Sequence, residues 1–441
     1  MTNNVLINDS VDFEIITLAI VTKGGKRIDV KNIFQELNIY DSIFMSAISG
    51  NIILADAIGI IKNLLFDGSE VLLVEIGKDR DSILFKKSFR IYKLSDRKNA
   101  NQKAEIFILN FVSDEFIHSS QIKVNQSFTD FTNSEVAASI LRRYLNVDSL
   151  NSSSSIGIKK IVIPNLSPLE AVEWLAKRTV DINSSPNFLF FENKLGYNFM
   201  SLSDMIDVPE VAKINYTIKN LNDEAVGEEF LGVRDVKVLS QFNFLDNTKS
   251  GVYAGSFIGF DPITRTYATK NVSFLDHYNK NKHLSNIPNL PVVTNEENKT
   301  NVDMYNARKT LYMFDTFRTN SEYVKKNDPN SIVNNDNSFD YILERKAIFK
   351  NFLNKRLRLV LPGNFNISSG FNVFLNSPDR TSFDGNNKDE TLYGKYTIIS
   401  TRHIINFRKH EVVFDVASDG TSQRYLTSSS VRQNEELENY G

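Results

Sequence analysis

Five histidines, His118, His277, His283, His403 and His410, have the widest chemical repertoire in this chain, and their spacing limits what they can do. No HExxH pair is present, so the two imidazoles that would hold zinc from one helix face are missing, and all five read as structural histidines. No GxxxxGK[ST] or GxGxxG loop is present to cradle a phosphate, and Gly255 with Gly259 reads as strand or turn glycine. There is no GxSxG elbow; a Ser-His-Asp triad or a pair of glycosidase carboxylates is set by geometry, and spacing alone leaves both open. Asp384 to Glu390 has the composition of a calcium loop. Placing Gly385 at the sixth position of an EF-hand, however, would start the loop at Arg380, which cannot ligate calcium. Cysteine is absent, which removes thiol nucleophiles, disulfides and thiolate metal sites and fits assembly in a reducing cytoplasm. No catalytic, cofactor-binding or metal-ligating residue is singled out, and no cofactor is expected.

One local feature could meet an anion. A helix expected from Phe339 to Lys355 places Arg345, Lys346, Lys350 and Lys355 mostly off its apolar face of Ile342, Phe349, Phe352 and Leu353, and Arg356 and Arg358 continue the run. A solvated helix face is the simpler reading. Lys and Arg total 51 against 53 Asp and Glu, a net charge of −2 that carries no general signal for nucleic acid. No stretch approaches the roughly 18 apolar residues of a membrane span, and the N-terminus lacks a signal-peptide pattern. A soluble chain without stable membrane insertion, not exported by the Sec route, is the expectation.

The elements that would position these residues are mostly strands. With 441 residues, about three domains of roughly 150 residues are expected, each able to bury its own core. Phe13 to Val21 and Arg27 to Val30 flank Lys23-Gly24-Gly25-Lys26, hairpin spacing in which Gly25 supplies a positive φ. Asp41 to Ala47, Gly50 to Leu54 and Val71 to Ile76 read as strands, and Ala57 to Phe66 as a short helix or a bend. Ser88 to Leu94 and Ala104 to Val112 read as a hairpin with residues 95–101 as its polar tip. Thr132-Asn-Ser-Glu135 is a capping box that opens a helix with Val136, Ile140, Leu141 and Tyr144 on its apolar face. Ser167-Pro168-Leu169-Glu170 opens a second helix. Phe188 to Glu192 and Tyr197 to Leu202 form a hairpin, and Val236 to Leu245 and Val252 to Phe260 are further strands. Residues 286–337 form a long Asn-rich connection with one short element around Ala307 to Phe317. Arg356 to Leu361, Phe371 to Leu375, Tyr396 to Ile405 and Glu411 to Val416 close the series.

Gly68 to Val112 and Gly363 to Ser418 repeat one order of turn, apolar strand, polar loop, strand, polar tip and strand. Phe89-Arg-Ile-Tyr92 parallels Tyr396-Thr-Ile-Ile399. An internal duplication of one β domain accounts for this, although shared β-rich composition would give the same pattern.

Leu361-Pro-Gly-Asn-Phe-Asn-Ile-Ser-Ser-Gly-Phe-Asn-Val-Phe-Leu-Asn376, then Tyr396 to Ile405 and Glu411 to Ala417, resembles the C-terminal barrel of the baseplate hub subunit of T-even-type contractile-tailed bacteriophages. The helix from Phe339, the Asp41 to Ile76 pattern and the elements from Leu166 to Leu202 fit that family in the same order. Residues 286–337 and the Asp379 to Glu390 loop fit it worst. The resemblance implies an α+β, mainly β fold with two similar antiparallel, tail-tube-like β-barrels and an inserted α/β domain. Residues 1–117 would form the first barrel, 118–215 the insert and 216–285 the start of the second barrel. A long polar connection would follow over 286–339, the helix and remainder of the second barrel over 340–418, and a frayed tail over 419–441. It implies a non-enzymatic virion protein, assembled in the host cytoplasm. A homotrimer would join a sixfold tail tube, or its initiator protein, to a threefold central spike, contact the tape-measure protein and let DNA pass transiently through its lumen. Arg345, Lys346 and Lys350 are expected not to line that lumen, since tight phosphate contacts would stall ejection. The hub of a bacterial contractile injection system reads the same way, and a tail-associated cell-wall hydrolase is the alternative of a different class.

Overall fold

Alternation of polar and apolar side chains builds most of the chain. In Ser49–Asp56, Val71–Gly77, Lys355–Pro362 and His410–Ser418 nearly every second residue is buried, the period of a strand with one face on a core. The structure, a computed structural model, describes residues 13–57, 59, 66–101, 104–157, 159–216, 230–261, 265–274, 278, 280–285, 287–288, 307–313, 338–377, 389 and 391–421. Most of the expected helix or bend at 57–66, of the 379–390 loop and of 286–337, and the tail beyond 421, lie outside the described residues. The fold is mainly β with few helices, and one sheet carries 14 strands.

That sheet contains two modules of the same design. Across the first, the strands run Phe34–Ser42, Ser49–Asp56, Ala104–Ser113, Ile83–Asn101, Val71–Gly77, Glu14–Val21 and Arg27–Asp29. Across the second they run Asp235–Ser240, Lys355–Pro362, His410–Ser418, Gly394–Ile405, Asn372–Asn376, Glu210–Asn215 and Phe230–Gly232. Counted along the chain, both orders read third, fourth, seventh, sixth, fifth, first, second. The ladders linking the third strand through to the fifth are antiparallel in both modules. Those of the first strand with the fifth and second are antiparallel in one module and parallel in the other.

Two further devices recur. In each module the second and third strands are one run with a bend, so its two halves serve opposite ends of the strand order. Val30 N donates to Leu18 O at 3.0 Å and Ala55 N to Ile33 O at 2.7 Å; Val233 N donates to Asn215 O at 3.2 Å and Arg234 N to Val360 O at 2.8 Å. A β-bulge also falls at one place in each sixth strand, where it faces the seventh: between Ile91 and Lys93, and between Ile398 and Ser400.

The modules share a ladder, where separate barrels were expected. Asn372–Asn376 covers the sixth strand of the second module only as far as Thr397, and the edge it leaves bare, Ser400–Ile405, pairs antiparallel with Leu37–Ser42 of the first. Each module still keeps its own core. Leu18, Phe34, Leu72, Phe89 and Phe111 fill the first, and Leu357, Leu375, Tyr396, Val412 and Phe414 the second.

Between Ser113 and Glu210 stands the α/β part. The capping box forms as expected, with Glu135 N donating to Thr132 Oγ1 at 3.3 Å and Thr132 N to Glu135 Oε2 at 2.7 Å. The helices Asn133–Leu145 and Pro168–Ala176 pack Val136, Ile140, Leu141, Val172 and Leu175 against the strands Phe188–Asn193 and Gly196–Ser201.

Several elements differ from expectation. Glu210–Asn215, placed with the insert by sequence, pairs with Asn372–Asn376 in the second module, a partner too far along the chain for a local pattern to name. Residues 95–101, expected as a polar hairpin tip, continue the strand Ile83–Asn101, whose bulges absorb the irregular polarity. The strand expected through Leu245 ends at Ser240, and Phe244–Ser250 is a helix capped by the Asn243 side chain. The element around Ala307 is the strand Lys309–Met313, parallel to Ala254–Asp261.

Close packing in the first module gives a stability prediction. A Cβ on Gly50 would lie 2.3 Å from Asn38 O and 2.3 Å from the Phe111 ring, whereas one on Gly24 would meet nothing within 4 Å. Gly50→Ala should destabilise by about 1–3 kcal/mol, as overpacking does. Gly24→Ala should stay within about 0.5 kcal/mol. Urea denaturation midpoints of the two variants check this.

Candidate functional site

The structure brings two of the five histidines together, in a core. His403 Nδ1 and His410 Nε2 lie 3.1 Å apart, both rings are buried, and Phe365 stacks on His403 at 4.4 Å and packs tilted against His410 at 4.6 Å. Burial pushes His410 down to about 3; burial, aided by His410 and Lys194, holds His403 well below 6.5. Two neutral rings sharing one hydrogen bond are a packing element. Gly363 is needed beside them, because a Cβ there would fall 2.0 Å from the His410 ring.

His283 has the look of a catalytic base without the means. Its Nδ1 lies 2.6 Å from Asp419 Oδ2 and its Nε2 2.6 Å from Tyr278 O, with the ring stacked on Tyr278 at 3.6 Å. Burial disfavours the imidazolium, but Asp419 and the Tyr278 carbonyl outweigh it and raise the pKa. With both nitrogens facing acceptors, no lone pair is left to take a proton from a substrate. His118 sits on an exposed helix turn 3.7 Å from Asp114, and His277 lies outside the described residues. Among the described residues no three His, Asp or Glu side chains converge as a metal site, and no helix is long and apolar enough to cross a membrane.

The basic helix, Ser338–Phe352, presents only part of the cationic face its sequence offered: Lys350 is exposed and Lys346 half-buried, but Arg345 is not on that face. Arg345 turns inward and donates to Pro186 O at 2.9 Å and Phe188 O at 2.8 Å, with its guanidinium 4.7 Å from the Phe349 ring. Lys355 is buried with its ammonium 5.0 Å from the Tyr396 ring, and burial lowers its pKa to about 8. Arg358 makes a two-pronged pair with Asp415 across neighbouring strands, at 2.7 and 2.9 Å. These cations hold the protein together.

The polar groups that do converge lie where the three parts of the chain meet. Asp41, on the first module's third strand, accepts from Ser368 Oγ at 2.7 Å and Ser369 N at 3.1 Å, both from the loop after Phe365. Asn193, at the hairpin turn of the insert, donates to Ser369 O at 2.9 Å, and Lys194 N donates to Ser368 Oγ at 3.3 Å. One residue earlier, Glu192 accepts from Ile48 N at 2.8 Å, Ser113 Oγ at 2.5 Å and the Lys87 ammonium, all of the first module. Burial raises the pKa of both carboxyls despite these donors. Phe365 completes the joint: it leaves its own module and stacks on Phe85, ring centroids 5.1 Å apart, in the first module's core. No local pattern marks this convergence, since its members come from five segments, 41–48, 85–87, 113, 192–194 and 365–369.

Of the strand edges left open among the described residues, two belong to the modules' sixth and third strands. Beyond Ile91, whose N donates to Glu70 O at 3.0 Å, the strand Ile83–Asn101 pairs only with Ala104–Ser113 among the described residues. Asp235–Ser240 pairs only with Lys355–Pro362. Tyr92 and Leu94 on the first, and Val238 with nearby Phe242 and Leu245 on the second, are exposed. This surface can join another protein by adding strands.

No protein-family model and no curated protein matches the sequence. Among solved structures, a tail protein from Neisseria meningitidis MC58 matches with a TM-score of 0.51 and 10% identity, over 92% of this chain and 97% of that one. The 43 kDa tail protein of prophage MuSo2 from Shewanella oneidensis matches with a TM-score of 0.51 and 11% identity, over 92% and 99%. The chain therefore has a fold shared with phage tail proteins.

The histidine pair makes the joint sensitive to acid. His410 titrates at about 3 when folded and near 6.5 when unfolded. Its contribution is therefore whole above pH 6.5 and is lost as pH falls toward 3, by about 2 kcal/mol at pH 5. Asp41 and Glu192, with raised pKa values, act in the opposite sense as pH falls toward the ordinary carboxylate range. His410→Gln should leave that opposing slope and remove the histidine's own, so wild type should lose more stability than the variant between pH 7 and pH 5 in urea melts.

Proposed function

We propose that this chain is a hub subunit of a contractile-tail baseplate, three copies of which set six similar β-modules in a ring between a sixfold tube and a threefold spike. The observation that carries the reading is the repeated strand order, with the same bent run and the same bulge, in two modules of a chain whose fold is shared with phage tail proteins. Two modules in a threefold assembly present six related surfaces without six copies of the chain. The bend that lets one run serve both ends of each strand order supports reading each module as a small barrel, with residues 1–117 in the first. The second then begins with Glu210–Asn215 and is interrupted between Ser240 and Lys355.

The joint suits this role. A ring element has to hold its two modules at one angle, and Asp41, Glu192 and Phe365 lock three parts of the chain by contacts that do not survive a shift of an ångström or two. The spike, the tube or its initiator, and the tape-measure protein would be partners in the virion, and DNA would pass through the ring. Arg345, tied to two carbonyls, is not available to grip that DNA. The hub of a bacterial injection system would be built the same way.

Light scattering should give a mass three times the 50.2 kDa of one chain, with subunit interfaces each burying above roughly 2,000 Å² as obligate ones do. A peptidoglycan zymogram should show no clearing. A stable monomer that clears peptidoglycan would replace the hub with a cell-wall hydrolase.

A further inference from the structure

The helix Ser338–Phe352 and the residue that follows it leave an apolar stripe uncovered. Ile342, Phe349 and Leu353 line a shallow groove of about 340 Å³ together with Arg345, Lys346 and Lys350. Ile342 is 41% exposed. Phe44, at the turn after the first module's third strand, extends the stripe: its ring lies 6.3 Å from that of Phe349, and it is 45% exposed. Cations edge the groove. Arg345 is taken up by Pro186 O and Phe188 O, but neither Lys346 nor Lys350 meets a carboxylate among the described residues. Burial lowers the pKa of Lys346, and the charges of Arg308 and Lys350 lower it further, so positive charge is crowded here without its counter-charge.

Such a face fits a segment of the opposite make, apolar side chains set among carboxylates. Residues 434–440 read Asn-Glu-Glu-Leu-Glu-Asn-Tyr, three acids interleaved with Leu437 and Tyr440 and no cation. We propose that this segment docks on the groove of its own chain, with Leu437 and Tyr440 over Ile342 and Phe349 and the glutamates against Lys346 and Lys350. Residues 221–229 are also acidic and apolar, but both flanks are tied into the second module's sheet, Lys213 pairing with Phe230 and Tyr216 N donating to Asn376 O.

The chain reaches residue 421 beside this same helix. Asn351, next to Lys350, donates from Nδ2 to Asp419 O at 3.3 Å, and Gly420–Thr421 pairs with Ile287–Pro288. Glu435 follows Thr421 by 14 residues, a length of chain that spans at most about 46–50 Å. The groove is nearer than that. From Asn351 to Ile342 is about 13–14 Å along the helix axis, and passing round a helix of about 10–12 Å diameter adds about 16–19 Å. A tether this short holds the segment at a high effective concentration, so contacts that are weak singly suffice.

The contact can be read on the full chain without substitution. A carbodiimide, which joins an ammonium to a carboxylate only where they touch, should couple Lys346 or Lys350 to Glu435, Glu436 or Glu438, identified by mass spectrometry of the digest. A chain with Lys346→Gln and Lys350→Gln, co-produced with one carrying Glu435→Gln, Glu436→Gln and Glu438→Gln, should show no such coupling. Coupling in that mixture would seat the segment on another copy and overturn the proposal. Ile342→Cys gives a second readout in a chain that has no other cysteine. Its reaction with a maleimide should run roughly fivefold faster once Glu435, Glu436 and Glu438 are all changed to Lys, and adding Lys346→Glu with Lys350→Glu should slow it again. Absence of coupling to residues 435–438, coupling instead to Asp223, Glu224, Glu228 or Glu229, or a maleimide rate indifferent to both charge changes overturns the docking. The hub reading is untouched by any of these results.

Discussion

A carboxylate withdrawn from water is expensive unless donors surround it, and this fold takes two out of water at one joint. Asp41 finds its donors in the loop at Ser368 and Ser369, and Glu192 finds its own at Ile48, Ser113 and Lys87. None of the donors belongs to the carboxylate's own segment. Asp41 is therefore tolerable only when the two modules are docked, and Glu192 only when the insert is docked on the first module, so partial docking leaves a buried group unsatisfied. Such an arrangement adds little net stability, but it penalises a docking that leaves either carboxyl without its donors.

Around that joint the two modules solve one problem by one route. A sheet of moderate length has two edges, and here a single bent run serves both ends of each strand order, at Val30–Ile33 in one module and Val233–Arg234 in the other. The bulge in each sixth strand increases local twist and lets that strand outrun its fifth-strand neighbour. In the second module the uncovered length is spent on the first module. The parallel ladders of Glu210–Asn215, where the first module has antiparallel ones, mark the place where the insert enters and the chain arrives from the opposite side.

What could be read from the sequence followed from distance along the chain. The hairpin at Gly24-Gly25, the capping box at Thr132 and the strands of residues 355–418 depend on neighbours a few residues apart, and their patterns were legible. Phe365 was legible as part of a family motif, but its destination was not: a phenylalanine after Pro-Gly-Asn reads as a turn residue, and only the fold shows it stacked in the other module's core. Arg345 and Lys355 misled for a related reason. A long cationic side chain on a helix face carries the same letters whether it ends in solvent, on a carbonyl or over an aromatic ring.

The open edges pose the converse question, how a chain with unpaired strands avoids joining itself at random. Lys93, Asp96, Arg97 and Lys98 stand along one edge and Asp235 and Lys237 along the other, among the exposed apolar side chains. Charges of that density oppose flat, unregistered stacking, because a slip by one residue turns each side chain to the other face of the sheet. A partner that brings the correct twist and bulge keeps those charges at the rim and buries the apolar positions between them. Charge and curvature together therefore favour one register, as at the internal ladder, where Ser400–Ile405 meets Leu37–Ser42 with Ile39 and Thr401 buried.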